Sequence, residues 1–301
     1  MTARVVVVGS ANLDIVLAVP RRPLAGETLT GTGLTETAGG KGLNQAIGAA
    51  KVAPCASVGC VGRASDAAQP WTALTGAGVD TDHLERVALP TGRAFISLTP
   101  DGENIIIVLP LANQQLDPDY VRDSLDELSP TAVLSQLEVP SSVTTAIAAW
   151  CARSDVRFML DASPVQELPQ FVVELADPLI VNAGEARAIL GTPTVDDERA
   201  LTAGLAKLAR SVVLTAGPRG VFIAQHDVVH HIDGIATTVR DTTGAGDAFA
   251  GTLAGHLARG VELLDAALLA NTEAARLVQL ERGERSRSGA TLESIAFGLH
   301  V

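Results

Sequence analysis

Five short apolar runs, each closed by a polar residue or a glycine, constrain this chain most. They are Val5–Val8 before Gly9, 133–137 before Glu138, 158–160 before Asp161, 179–181 before Asn182 and 212–214 before Thr215. Alanine-rich segments of helical length separate them, among them 141–153, 184–190 and 199–209. Apolar runs of this length read as strands covered on both faces. Their alternation with helices predicts right-handed crossovers and an α/β fold: a mostly parallel central sheet with helices on both faces. Ligands in such sheets sit beyond the carboxyl ends of the strands. The polar residues that close the runs are therefore candidate site residues, although each also reads as a helix cap or turn former.

Two regions break the alternation. "LDIVLAV" with the threonine-spaced "GETLTGTGLTET" reads as extended chain, and "GRAFISLTPDGENIIIVLP" reads as a hairpin turning at Pro100, Asp101, Gly102 and Glu103. The second arm, 105–109, is apolar on both faces, so it needs cover from a ligand, another subunit, or both. The expectation is one domain over 1–301 with a small β-sheet lid formed by about 13–36 and 91–109, and a homodimer joined through that lid.

A length of 301 residues with 47% hydrophobic and 19% charged residues belongs to a globular chain. The net charge of −12, with no basic stripe, argues against nucleic acid as a partner. The opening "MTARVVVVGS" is too short for a signal-peptide core or a membrane span. Cys55, Cys60 and Cys151 lack C-x-x-C spacing, which suits reduced thiols and a cytoplasmic location. The histidines show no metal-ligand spacing.

Small anions remain possible ligands, because oriented amides and one lysine can make a positive pocket in an acidic protein. "ETAGGKG" is not a Walker loop: Thr35 stands where the first glycine belongs and Gly42 where the hydroxyl belongs. "VVVVGSANLD" lacks the three-glycine dinucleotide fingerprint, which leaves an oxidoreductase reading weak. "DTTGAGDAFAG" has another logic. Gly244, Ala245 and Gly246 at a helix start present open backbone amides and the positive end of a helix dipole, an anion hole. Asp247 beside it reads either as dipole complementation or as a general base for phosphoryl transfer to a hydroxyl.

"DTTGAGDAFAG", "GSANLD", "GETLTG" and "AGGKGLNQA" resemble the motifs of the ribokinase-like sugar kinase family, in order and spacing across nearly the whole chain. "SQLEVP", "IVNAGEA" and "LTAGPRGV" also match that family's pattern. The resemblance implies that Asn12, Asp14, Gly40, Lys41, Asn44 and Glu138 hold a sugar. It makes Asp247 the base and Gly244, Ala245 and Gly246 the anion hole. It sets Asn182 and Glu185 near the phosphates and a water-clad Mg²⁺, Thr215, Gly217 and Gly220 along the ATP, and Asn271 near the adenine. Taken alone, Asp14 and Asn44 also read as turn or cap residues, and Asn182 and Glu185 as a capping pair.

The family also implies a K⁺ site at Asp241 and Thr243, completed near Gly283, where this chain reads "ERGERSRSGA". Further departures are Arg63, where an aspartate is usual, and Leu111, where a glycine is. "GGKGLNQA" is most similar to the ribose-specific members, which implies ATP-dependent phosphorylation of the primary hydroxyl of D-ribose. Deoxyribose, an adenosine-type nucleoside and fructose are the rival substrates. A non-catalytic sugar or nucleotide sensor is the rival of another class; the loss of base or anion hole that would mark it is not seen.

Overall fold

The all-valine run Val5–Val8 is a strand without an exposed side chain, and it lies inside a sheet with a parallel neighbour on each side. The computed structural model describes residues 4–101, 104–225 and 228–280. In chain order the strands are β1 (Val5–Val8), β2 (Asn12–Ala18), β3 (Gly33–Gly39), β4 (Cys55–Val61), β5 (Leu84–Arg86), β6 (Gly92–Leu98), β7 (Asn104–Leu109), β8 (Ala132–Ser135), β9 (Arg157–Asp161), β10 (Leu179–Asn182), β11 (Val212–Thr215), β12 (Val221–Gln225) and β13 (Val228–Ile232). The large sheet has the order β13-β12-β11-β10-β9-β8-β1-β4-β5. It is parallel from β5 to β11, and the β12–β13 hairpin adds an antiparallel edge. The expected architecture holds.

Period-two alternation divides the sheet's side chains between two cores. Val6, Val8, Val133, Phe158, Leu160, Val181 and Leu214 pack on one face, under Val121, Leu125, Val143 and Ile147 of helices Pro118–Leu128 and Ser141–Ser154. Val5, Val7, Leu134, Met159, Ile180 and Val213 pack on the other, under Leu43, Ala46, Phe249, Leu253 and Ala270. Those side chains belong to helices Lys41–Ala50, Ala245–Ala258 and Leu263–Leu277. Each fully buried aliphatic side chain contributes about 1.5–3 kcal/mol relative to exposure. A run apolar at every position is the sequence a two-sided sheet requires.

Helices Lys41–Ala50 and Ala245–Ala258 touch backbone to backbone. A Cβ added at Gly251 would fall 2.1 Å from the Gln45 carbonyl oxygen. This contact sets the N-terminal turns of both helices side by side at the carboxyl ends of the strands.

Strands β3-β2-β6-β7 form a separate four-stranded sheet. β2 runs antiparallel to β3 and parallel to β6, and β6–β7 is the expected hairpin; its turn residues Gly102 and Glu103 lie outside the described residues. The "GETLTG" segment is not strand. β3 begins only at Gly33, after the Thr32 amide closes onto the Ala18 carbonyl at 2.8 Å. Two other runs end earlier than the pattern suggested: β8 stops at Ser135, and the helix expected over 199–209 is Glu198–Leu205 followed by a turn.

Candidate active site

Two glycine-led helices meet at the site, and they differ in how their first turns are closed. At the start of Lys41–Ala50, the Lys41 amide donates to Glu138 Oε2 (3.1 Å), the Gly42 amide to Ser10 Oγ (3.3 Å) and the Leu43 amide to the Ser10 carbonyl (2.9 Å). Ser10 Oγ donates to the same Glu138 oxygen at 2.5 Å. That helix end is satisfied by two side chains and a backbone carbonyl and has little left for an anion. Helix Ala245–Ala258 has no side-chain cap, and its N-cap Gly244 sits at φ 73°, a left-handed conformation that favours glycine. A Cβ built on Gly246 meets no atom within 4 Å, so its backbone faces open space. The Ala245 amide, expected in the anion hole, instead donates to the Thr242 carbonyl at 3.1 Å because the chain turns tightly there. Gly244 and Gly246 are the members that line the pocket.

Asp247, in the first turn of that helix, is 8% exposed. Asn44 Nδ2 donates to its Oδ2 (3.1 Å) and Gln45 Nε2 to its Oδ1 (3.2 Å), both from the neighbouring helix. Gln45 Nε2 also donates to Asp161 Oδ2 at 2.7 Å, and Gln136 Nε2 donates to Gln45 Oε1 at 2.8 Å. Burial pushes the Asp247 carboxyl up to about 6; Lys41 pulls the other way and Asp161 adds to the rise. Burial raises Asp161 as well, with Lys41 opposing and Glu185 adding. Burial alone would lower Lys41, but the carboxylates of Asp247, Asp161, Glu138 and Glu185 hold its ammonium above the usual lysine range. Acids lifted toward neutrality in a cleft are a common mark of a reactive centre.

Of the expected sugar contacts, Asn44 bonds Asp247 directly. Asn12 and Asp14 of β2 are buried, at the root of the small sheet. Asn12 Oδ1 accepts from Asn113 Nδ2 at 2.8 Å, and Asn113 Oδ1 accepts from the Ala11 amide at 3.0 Å. Gly40, Lys41 and Asn44 begin the first helix, with Glu138 bonded to its end. Leu111 has φ 46°, so a branched side chain occupies the backbone conformation that the usual glycine suits. Arg63 is exposed at the start of a short 3₁₀ turn.

Asn182, Glu185 and Thr215 line a pocket of about 140 Å³ with Lys41, Asp161, Gly244, Gly246 and Asp247. Asn182 and Glu185 form a complete capping box: Asn182 Oδ1 accepts from the Glu185 amide at 3.0 Å, and Glu185 Oε2 from the Asn182 amide at 2.7 Å. Capping and pocket lining are thus compatible roles for the same pair. Gly217 and Gly220 bound the turn between β11 and β12. A Cβ on Gly220 would fall 2.0 Å from the Ile232 carbonyl oxygen, and the residue's φ of 86° is left-handed, so packing and backbone conformation both demand that glycine. Asn271 Nδ2 donates to the Asp233 carbonyl at 3.1 Å. Asp241 Oδ1 accepts from the Thr243 amide at 2.8 Å, and Gly283 lies outside the described residues.

The pfkB family carbohydrate kinase pattern matches residues 2–287. This chain belongs to the pfkB family. Among pfkB relatives, the ribokinase of Haemophilus influenzae is 32% identical over 307 aligned residues, covering 100% of each chain. The ribokinase of Bacillus subtilis is 33% identical, over 89% of this chain and 90% of its own. The solved ribokinase of Thermotoga maritima superposes with a TM-score of 0.85 at 29% identity, covering 94% of this chain and 95% of its own. The Arabidopsis thaliana ribokinase, complexed with ribose and ATP, superposes with a TM-score of 0.83 at 31% identity, over 93% and 94%.

Sequence reasoning passed over three residues that this pfkB chain brings to the site, Ser10, Gln45 and Asn113, and gave Asp161 no role beyond that of a general candidate. Asp161 carried a faint signal as the polar end of an apolar run. Gln45 and Asn113 carried none, because their partners lie 202 and 101 residues away along the chain.

Proposed function

We propose that this pfkB carbohydrate kinase transfers a phosphoryl group from ATP to the primary hydroxyl of D-ribose. The observation that carries the reading is the position of Asp247: a buried carboxylate in the first turn of the helix that starts at Gly244, hydrogen-bonded to Asn44 and lining one pocket with Lys41, Asn182, Glu185, Thr215, Gly244 and Gly246. Relatives named ribokinase across the full length, one of them solved with ribose and ATP, support the same substrates.

In this reading Asn12, Asp14, Gly40, Lys41, Asn44 and Glu138 hold the sugar's hydroxyls by paired hydrogen bonds, which discriminates against analogues lacking one. Asp247 accepts the proton of the primary hydroxyl as that oxygen bonds to the γ-phosphorus; the bridging P–O bond breaks and ADP leaves. The Gly244 and Gly246 amides and the helix dipole stabilise charge on the transferring oxygens. Thr215, Gly217 and Gly220 border the nucleotide, with Asn271 toward the adenine.

Four carboxylates against one ammonium repel a triphosphate, so a cation must enter with it. Among the described residues no three His, Cys, Asp or Glu side chains could cage a metal. A set with one carboxylate, Glu185, beside Asn182 fits Mg²⁺ held mainly by water and phosphate, and the ion would neutralise phosphate charge. Asp241 and Thr243 are the proposed half-site for K⁺. Among the described residues no helix is long and apolar enough to cross a membrane, and a cytoplasmic enzyme without a nucleic-acid partner is the accompanying proposal.

The deciding experiment is a coupled ADP-release assay over D-ribose, deoxyribose, fructose and adenosine, run in potassium, sodium and Tris salts. Ribose should give the highest kcat/KM, and potassium should raise turnover. A better rate with another acceptor rejects the substrate, and equal rates in the three salts reject the K⁺ site.

The lid reading extends to assembly. On β7, Ile105, Ile106, Ile107, Val108 and Leu109 are 41–59% exposed, a run no monomer of this size benefits from showing to water. The proposed cover is the same sheet of a second copy. Ile106→Lys should then convert dimer to monomer in light scattering and raise KM for the sugar; an unchanged mass would reject the lid-to-lid dimer.

A further inference from the structure

Asp161 plays no part in the reaction just described, yet it is built into it. It ends β9 at 7% exposure, one Gln45 nitrogen away from Asp247. Gln45 and Gln136 are both fully buried. Because Gln136 Nε2 occupies Gln45 Oε1, the Gln45 amide has one orientation, with its two N–H groups toward the two carboxylates.

We propose that Asp161 is a positioning residue for phosphoryl transfer: through the Gln45 amide it locks the Asp247 carboxylate in place, with Oδ1 held by Gln45 and Oδ2 by Asn44. Each Asp247 oxygen then keeps one acceptor direction for the incoming hydroxyl. The inference rests on Asp247 being the base.

Two observations argue against a merely structural strut. A neutral side chain would brace Gln45 without burying a second acid beside the first, an arrangement disfavoured at neutral pH. Asp161 also lines the same pocket as Asp247, Lys41 and Glu185. The charged groups around Asp247 are Lys41 on the helix Lys41–Ala50, Asp161 on β9 and Glu185 on the helix Ala183–Leu190, with Glu138 acting on Lys41 from beyond β8. The negative charge of Asp161 raises the proton affinity of Asp247, which makes it a stronger base.

The test compares Asp161→Asn and Asp161→Ala with the parent by single-turnover phosphoryl transfer, KM for both substrates, thermal melting and the pH profile of kcat/KM. Asp161→Ala removes the hydrogen-bond acceptor and should slow transfer about 10-fold or more, with each KM changed less than about 2-fold. Asp161→Asn keeps an acceptor but not the charge; it should restore most of that rate while moving the acid limb of the profile to lower pH. An acid limb at the parental position in Asp161→Asn overturns the proposal, and so does a parental transfer rate in Asp161→Ala. If the alanine variant does not fold, the asparagine profile decides alone. An Asp247→Asn enzyme that turns over normally defeats the base assignment itself. An inactive Asp247→Asn enzyme beside an unaffected Asp161 pair defeats this inference only.

Discussion

Asp247→Asn should lower kcat by roughly 10²- to 10⁴-fold, the range expected for removing a positioned general base, while the fold and the sugar affinity persist. Asparagine has the same shape, and Asn44 can turn its amide to present an oxygen in place of its Nδ2 donor. What disappears is the acceptor for the hydroxyl proton. The parent enzyme's kcat/KM should fall as pH drops through about 6, where burial sets the Asp247 carboxyl.

Stability should respond in the opposite sense. The folded carboxyl of Asp247 titrates above the ordinary aspartate value of 3.8, so between that value and about 6 the folded state binds more protons than the unfolded chain. Its contribution is therefore present below the unfolded value and lost as pH rises through the folded one, a cost of about 3 kcal/mol at neutral pH. The Tm of Asp247→Asn relative to the parent should accordingly improve between pH 4 and pH 7. Normal turnover in the variant rejects the role, and a pH-independent Tm difference rejects the buried anion.

Gly251→Ala should destabilise the protein by roughly 3 kcal/mol or more and abolish most activity, although Gly251 is not among the residues lining the pocket around Asp247. The added methyl would lie 2.1 Å from the Gln45 carbonyl oxygen and 2.9 Å from the Ala49 amide nitrogen, both backbone atoms that cannot rotate aside. The two helices would have to separate. Asn44 and Gln45 reach Asp247 at 3.1 and 3.2 Å only because the helices touch, so a separation of about 1 Å exceeds hydrogen-bond range. Thermal melting and steady-state kinetics measure both effects. A variant with the parental Tm and kcat would show that the contact is slack.

Residue order alone determined the architecture and the bare, glycine-led start of one helix. An all-apolar strand such as Val5–Val8 has no stable home except a sheet covered on both faces, and Gly-Ala-Gly before Asp247 exposes backbone wherever a helix starts there. These are local properties, carried by adjacent residues. The sequence pattern singled out "TTGAG" as the anion-binding start, but it did not tell what becomes of the other glycine-led start, "AGGKG". The tertiary structure decided that by bringing Glu138 and Ser10, from the loops after β8 and β1, to the first helix end and leaving the second uncapped. It also turned the Ala245 amide back onto Thr242, gave Gly220 a packing role and joined Asp161 to Asp247 through Gln45. Hydrogen bonds between side chains a hundred or more residues apart depend on helix crossing and strand register, and those are set by packing, which no local pattern of residues encodes.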